Sequence, residues 1–376
     1  MAAGIRRKAA PARGISNYQL AARNVYMTKK ILITGNMGYV GPLVVNALRH
    51  GNEEVEIHGL DSGFFSACLT ASDVLPEANL DHQWFIDIRD VSDRLLQNFH
   101  TVIYLAAVSN DPIGKEFKSA TESINFSGAC RFAKLAKQSG VQRFVFASSC
   151  SMYGASGEHL KNEESDLAPL TTYAKSKVGY ESILKGLADE SFMVTALRFA
   201  TACGMSPRLR LDLVLNDFVA SAFTSGKIVL LSNGEAWRPL IDVSDMARAV
   251  RWAAQRGDSQ DDRQFLPVNV GSSDWNYKII DLARIVAEEF DGIDLVVGEN
   301  QADARTYQVD FSLYERLAPD FVVIRDIRTT IAELRNGLSA MGFDDTDFRN
   351  SLYMRLKMLQ KLKRCGRIDD QLRWVR

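Results

Sequence analysis

The chain has 376 residues, 46% of them hydrophobic and 24% charged, with a formal net charge of −1. This is the composition of a globular protein with two or so structural units, or of one large unit with an appended lobe. The balanced charge offers no field for nucleic acid or an anionic membrane, and no run is apolar enough to span a bilayer. The scattered cysteines Cys68, Cys130, Cys150, Cys203 and Cys365 form no Cys-x-x-Cys and no paired Cys/His spacing, which points to a reducing, cytoplasmic setting and no metal.

Residues 1–30 carry Arg6, Arg7, Lys8, Arg13, Arg23, Lys29 and Lys30 and no acid. A transit peptide has that composition, but the segment lacks a clear apolar face and reads as a basic extension over 1–29, with Met27 as a candidate internal start. Residues 30–34 predict a short buried strand, followed by a glycine-rich turn and a helix through 42–50. Further strands are predicted at 54–60, ending at Asp61, at 84–87 and at 100–107. A helix over 123–140 ends on glycine. The strand 143–149, a helix carrying Tyr173 and Lys177, and the strand 192–200 follow. Apolar strands alternating with amphipathic helices predict a parallel sheet covered on both faces.

From about 201 the pattern changes. A loop and helix lead to a short strand at 227–231 and turn chemistry before another strand-like piece. A helix over 243–257 takes Ser244 or Asp245 as its cap. The strand 265–271 and an amphipathic helix over 277–290 come next, and residues 326–376 read as a polar helical tail.

The first strand runs into Thr34-Gly35-Asn36-Met37-Gly38-Tyr39-Val40-Gly41, a Gly-x-x-Gly-x-x-Gly spacing. Glycines there allow a sharp turn, let backbone amides approach a pyrophosphate and let the helix pack closely on the strand, while the helix N-terminus favours the anion. The strand-turn-helix context makes residues 35–41 a dinucleotide site. Asp61 ends the second strand about 20 residues on, where a carboxylate accepts hydrogen bonds from a ribose and repels a 2′-phosphate. With no arginine or lysine in Ser62-Gly63-Phe64-Phe65-Ser66, the cofactor predicted is NAD rather than NADP. Asp87 and Ile88 end the third strand, placed to meet an adenine. Leu105-Ala106-Ala107 end the fourth, where small side chains let a cofactor lie against backbone.

Tyr173 and Lys177 share one helix face. A free phenol, with a pKa of about 10, is a poor base at neutral pH, and an adjacent ammonium favours its phenolate.

In this order, Gly35-x-x-Gly38-x-x-Gly41, Asp61, Asp87-Ile88, Leu105-Ala106-Ala107, Ser148-Ser149 and Tyr173-x-x-x-Lys177 give a chain that resembles the extended short-chain dehydrogenases/reductases. The resemblance is to their NAD-dependent nucleotide-sugar epimerase/dehydratase branch, over roughly residues 30–325. It implies an α/β fold: a Rossmann-type, doubly wound parallel sheet over 30–200, completed by about 236–272. A smaller substrate-binding lobe would comprise 201–235 and 273–325, with 326–376 as an extra helical tail that could pack on a partner subunit.

The same resemblance implies Tyr173 as catalytic base, Lys177 as its partner and a ribose ligand, and Ser149 as the hydrogen-bonding third member. It carries Asn125 as the asparagine that steadies the active-site helix, against the plainer reading of a surface helix residue. In the lobe, Asn216 and Arg238 match residues near the diphosphate of a nucleotide sugar, Arg305 is a second candidate, and Arg208 and Arg210 line the same region. Ser109-Asn110-Asp111-Pro112 would face the hexose, along with Met152 and Tyr153. Homodimers are usual in the family.

Oxidation at sugar C4 is common to this branch. Its dehydratases carry an Asp-Glu acid/base pair right after the serine or threonine, where this chain has Cys150 and Ser151. That departure favours an epimerase. A nucleotide-sugar 4-dehydrogenase or ketoreductase, an atypical dehydratase and a non-catalytic NAD-binding sensor remain alternatives, with Cys150 either a thiol at the substrate or a core filler.

Overall fold

The computed structural model describes residues 29–51, 54–70, 75–155, 159–257, 263–300 and 305–375. The basic extension therefore lies outside the described residues, apart from Lys29. That residue opens strand β1 (Lys29–Thr34). Alternating apolar segments then supply β2 (Val55–Asp61), β3 (His82–Phe85), β4 (Thr101–Tyr104), β5 (Arg143–Ser149), β6 (Met193–Phe199) and β7 (Phe265–Val270). They form one seven-stranded sheet in the order β7-β6-β5-β4-β1-β2-β3, with every pairing parallel.

Period-2 alternation sorts the strand side chains onto two cores. Leu32, Leu60, Val102, Tyr104, Phe144 and Phe146 face one side. Ile31, Ile33, Ile57, Ile103, Val145 and Leu197 face the other. The second face is covered by α1 (Gly41–Arg49) and, later in the chain, by residues 246–254. The first is covered by α2 (Ala129–Gln138) and α3 (Thr172–Leu187). A π-helical segment, Ser123–Gly128, precedes α2 and turns Asn125 inward. Its side chain accepts from Val108 N at 2.8 Å and donates to Val108 O at 2.8 Å, so it is a buried backbone clamp rather than a surface helix residue.

The lobe is built on α4 (Val214–Ser225), α5 (Val243–Gln255), which bridges back to the sheet, and α6 (Ile279–Glu288). Strand Trp237–Asp242 leaves the main sheet and pairs with Thr201–Cys203 and Asn276–Lys278. Asp242, not Ser244 or Asp245, caps α5: its carboxylate accepts from Ser244 N at 2.7 Å. The Asp245 carboxylate instead accepts from Arg325 N at 3.1 Å.

Two further boundaries differ from the sequence pattern. Strand β3 ends at Phe85, because register with β2 stops at Asp61↔Phe85, so Asp87 and Ile88 lie in the turn beyond it. The stretch 326–376 is not one tail. Helix α7 (Ile327–Ala340) buries Ile331, Leu334 and Leu338 in the lobe core. Helix α8 (Arg355–Arg364) and the residues after it bury Met358, Leu359, Leu362, Ile368 and Leu372 in the sheet core. These apolar side chains are spaced for one helix face and its return, and they pack on this chain's own sheet instead of being left free for a partner subunit.

Candidate active site

The strand order reverses at β1, which has β2 on one side and β4 on the other. In such sheets ligands occupy the crevice beyond the carboxyl ends of the strands at that point. A cavity of about 400 Å³ lies there, bounded by the ends of β1 to β5 and by the lobe.

The glycine turn forms its floor. Gly35 has φ +74, and a Cβ on it would lie 2.7 Å from Ala106 N, so the turn can press against the end of β4 only as glycine. Gly35, Gly38, Tyr39 and Val40 line the cavity. Asn36, Met37 and Gly41 do not, although the sequence groups them with the rest. Asn36 is buried and donates to Gln83 Oε1 at 2.6 Å, and Gly41 packs so tightly that a Cβ would meet Asn36 O at 2.0 Å. Met37 N is taken by Asp61 Oδ2 at 3.1 Å. Tyr39 ties the turn to the lobe: its hydroxyl donates to Gly204 O at 2.5 Å and its carbonyl accepts from Ser206 Oγ at 2.6 Å.

Asp61 lines the cavity and also accepts from Gly63 N at 2.7 Å. Burial pushes its carboxyl up, against the lowering effect of those two backbone donors. Asp87 and Ile88 line the same end. Burial acts to raise the Asp87 carboxyl, but the Arg89 hydrogen bonds outweigh it and hold the group below the usual carboxylate range. Arg89 Nη2 donates to Asp87 Oδ2 at 2.6 Å, so this carboxylate is committed and not a free acceptor. Leu105, Ala106 and Ala107 lie just past β4 and line the cavity.

At the other end β5 delivers Ser149 and α3 delivers Tyr173 and Lys177, all facing the cavity. Thr171 caps α3 by accepting from Ala174 N at 3.2 Å, which fixes Tyr173 in the first turn. Ser149 Oγ stands 2.9 Å from Ser151 Oγ, and its hydroxyl acts to lower the Tyr173 phenol. Lys177 Nζ donates to Ala147 O at 2.6 Å and sits 5.4 Å from the centre of the Tyr173 ring.

The electrostatics differ from the expectation that Lys177 favours the phenolate. Burial pushes the Tyr173 phenol up to about 12, and the opposing cation is Arg210, with the Ser149 hydroxyl second. Burial also pushes Lys177 down to about 7, with Glu181, one turn along α3, opposing. Glu181 is itself paired with Arg198 at 2.7 Å and accepts from Ser148 Oγ at 2.6 Å.

Cys150 points away from this site. Its thiol donates to Arg198 O at 3.0 Å inside the core, and burial pushes it well above the ordinary thiol range, so it is a filler and not a substrate contact. Met152 and Tyr153 are likewise core residues rather than hexose contacts. Ser151 lines the cavity.

The lobe wall is more charged. Arg210 lines it, donating to Asp212 Oδ1 at 2.9 Å and to Ser109 Oγ at 2.9 Å. Asn110 stands behind Ser109 and donates to Asp212 Oδ2 at 2.5 Å. Arg305 lines the cavity in an ion pair with Asp111, which also lines it. Arg238 lines it beside Tyr307, 5.6 Å from that ring. Asn216 does not reach the cavity. It is fully buried behind the wall, where it donates to Arg210 O at 2.8 Å and accepts from Gly204 N at 2.9 Å. Arg208 is also withdrawn, clamped on Glu77 at 2.8 Å and on the carbonyls of Phe65 and Ser66. The sequence reading did not find Tyr307, or the residues Arg355, Leu359 and Leu372 that reach the cavity from the end of the chain. Nothing in the local pattern marked them, since they lie far from every glycine or tyrosine motif. Among the described residues no cluster of His, Cys, Asp and Glu is arranged to hold a metal ion, and no helix is long and apolar enough to cross a membrane.

The family whose model matches residues 31–271 is the NAD dependent epimerase/dehydratase family. A UDP-glucose 4-epimerase of Streptomyces lividans is 30% identical over 165 residues, 43% of this chain and 48% of that protein. A dTDP-D-glucose 4,6-dehydratase of Mus musculus is 23% identical over 240 residues, 61% of this chain and 66% of that one. The chain spans about half the length of the curated relatives it matches first. Among solved structures, MoeE5 in complex with UDP-glucuronic acid and NAD superposes with a TM-score of 0.71 at 22% identity, covering 83% of this chain and 99% of that one. At that identity the likeness is one of fold.

Proposed function

The chain belongs to the NAD dependent epimerase/dehydratase family, and on that premise we propose that it is a nucleotide-sugar epimerase acting by transient oxidation at sugar C4. One observation carries the choice of reaction. The residues after Ser149 supply no carboxylate: Cys150 is sealed in the core and Ser151 is bonded to Ser149. A dehydratase must also remove a carbon-bound proton and expel a hydroxyl, which calls for a further acid/base group. An epimerase needs only one group to take and return one proton.

The residues present fit NAD. The Asp61 carboxylate lines the cavity, and among the described residues no cation is hydrogen-bonded to it, as suits ribose hydroxyls. Gly35 and Gly38 line the cavity and, lacking side chains, leave room for a diphosphate against the turn, while their own amides are bonded to Leu60 O and Gly35 O. When bound, NAD supplies a hydride acceptor and, in its oxidised form, a positive charge. Tyr173 would hold the proton taken from the C4 hydroxyl at its phenolic oxygen and give it back. Ser149 would hydrogen-bond the same sugar oxygen. With the phenol raised to about 12, the resting site keeps its proton, and deprotonation depends on cations gathered around the ring. Arg210 is one of these. Arg238 and Arg305, on the lobe wall, suit the diphosphate of the nucleotide sugar.

Asp111 favours a second reading. It is a carboxylate on the Tyr173 side of the cavity, and release from Arg305 would make it an acid/base group for an atypical dehydratase. Turnover of a nucleotide-sugar panel in deuterated water separates the two. C4 epimerisation leaves solvent deuterium out of the sugar, whereas dehydration or C3/C5 epimerisation carries it in. NAD bound with no sugar turned over would leave only a sensor role. Homodimerisation is part of the proposal and is read by sedimentation.

A further inference from the structure

The end of the chain contributes to the cavity in a way that the shared chemistry of the family does not require. Arg355 and Leu359 stand one turn apart on the same face of α8, and both line the cavity. Leu372, further on, lines it too. It is fully buried with φ +51, a left-handed conformation that a leucine adopts only when its surroundings impose it. Around it the segment is fastened to the adenosine end of the crevice. Arg89 donates to Gln371 O at 2.9 Å, and Trp374 Nε1 donates to Ser62 O at 2.7 Å, one residue past Asp61.

Arg355 is the unusual member. Only 3% of it is exposed, and it stacks over Phe65 with its guanidinium 4.6 Å from the ring centre. Its Nη2 donates to Arg208 O at 2.8 Å, but its buried Nη1 has no hydrogen-bond partner. The other lining arginine at this depth, Arg210, holds Asp212, while Arg355 makes no ion pair among the described residues and feels Asp212 only through space. A buried cation left this way is costly unless a ligand completes it. Its place narrows the ligand. Phe65 belongs to the adenosine end and Arg210 to the Tyr173 end, so Arg355 sits between them, where a dinucleotide has its diphosphate.

We propose that residues 355–374 roof the dinucleotide site, with Arg355 binding the diphosphate and Leu359 and Leu372 covering the adenine. The proposal rests on NAD as cofactor and on no particular reaction, so it is tested by binding. Arg355→Met keeps the packing on Phe65 and removes the charge. In the full chain, the affinities for NAD and for ADP-ribose fall tenfold or more, the affinity for adenosine stays within twofold, and that for UDP is unchanged. The melting temperature without ligand holds or rises, because a buried charge with no ion pair has gone. Loss of UDP affinity with ADP-ribose unchanged would assign Arg355 to the sugar nucleotide and overturn the roof. A lowered melting temperature with an undiminished NAD-induced shift would make Arg355 a structural pin and overturn it as well. Should the methionine variant not fold, hydrogen exchange of the unaltered chain decides: NAD slows the amides of 366–375 if they form the roof, and leaves them unchanged if they do not. A failure of C4 epimerisation would leave all these readings intact.

Discussion

The two ends of the cavity are built from different materials. The end proposed for the adenosine is largely apolar: Phe64, Phe65, Ile88, Leu359 and Leu372 surround two engaged carboxylates, Asp61 and Asp87, and its apolar walls belong to the sheet core. The sugar end is walled by charge, with Arg210 on Asp212, Arg305 on Asp111 and Lys177 one turn from Glu181. Apolar packing is lost all at once when it opens, whereas ion pairs can exchange partners with an incoming diphosphate. On the proposed function, the contrast suits a site that retains one nucleotide through many turnovers while releasing another at each.

The sharpest way to break this contrast is at Tyr173. Tyr173→Phe should lower kcat by about 10²–10⁴-fold with the affinity for NAD unchanged; intact turnover would remove Tyr173 from the mechanism. At the adenosine end, Leu372→Ala should cost about 2–5 kcal/mol in urea denaturation and leave one cooperative transition. A separate early transition would show the roof to be independent of the sheet core. Lys177 tests the sugar end through pH. In the fold it titrates near 7, whereas in the unfolded chain it does so near about 10.4. Between those values the unfolded chain binds the extra proton, so the stability that this group contributes is greatest above the unfolded value. It falls with pH, by up to about 1.4 kcal/mol per unit, until the folded group is itself protonated below 7. Lys177→Met should remove that dependence from the cofactor-free protein. Arg210→Gln should reduce turnover about tenfold at neutral pH, by the loss of one partly screened cation, and move the acidic, ascending limb of the pH profile to higher pH. The smallest effect is expected for Asp111→Asn: near-unchanged epimerisation, with a collapse of activity identifying it as the acid/base group of a dehydratase.

The sheet, its helices and the glycine turn were legible because their signals are local: period-2 apolar runs, a Gly-x-x-Gly-x-x-Gly spacing right after a strand, and Tyr173 and Lys177 on one helix face. Contacts across the fold were not. Asn216 carries the right motif neighbours, yet its side chain turns inward to hold Arg210 O, and only the packing of α4 decides that. Asp87 sits where a strand-end carboxylate is useful, but Arg89, two residues on, claims it. The polar composition of 326–376 hid two sets of buried side chains because each set packs on a different core. Burial also works against the simple reading of Tyr173 and Lys177, since a spacing says nothing about desolvation.

The position of the roof in the chain has a consequence for biosynthesis. Residues 29–350 contain every other wall of the cavity, and a chain emerging from the ribosome folds from its N-terminal side. The crevice must therefore exist for a time as an open trough, its apolar adenosine end wetted, until Arg355, Leu359 and Leu372 have been made. A dinucleotide present in that interval would meet an accessible site, and residues 355–374 would then close over it.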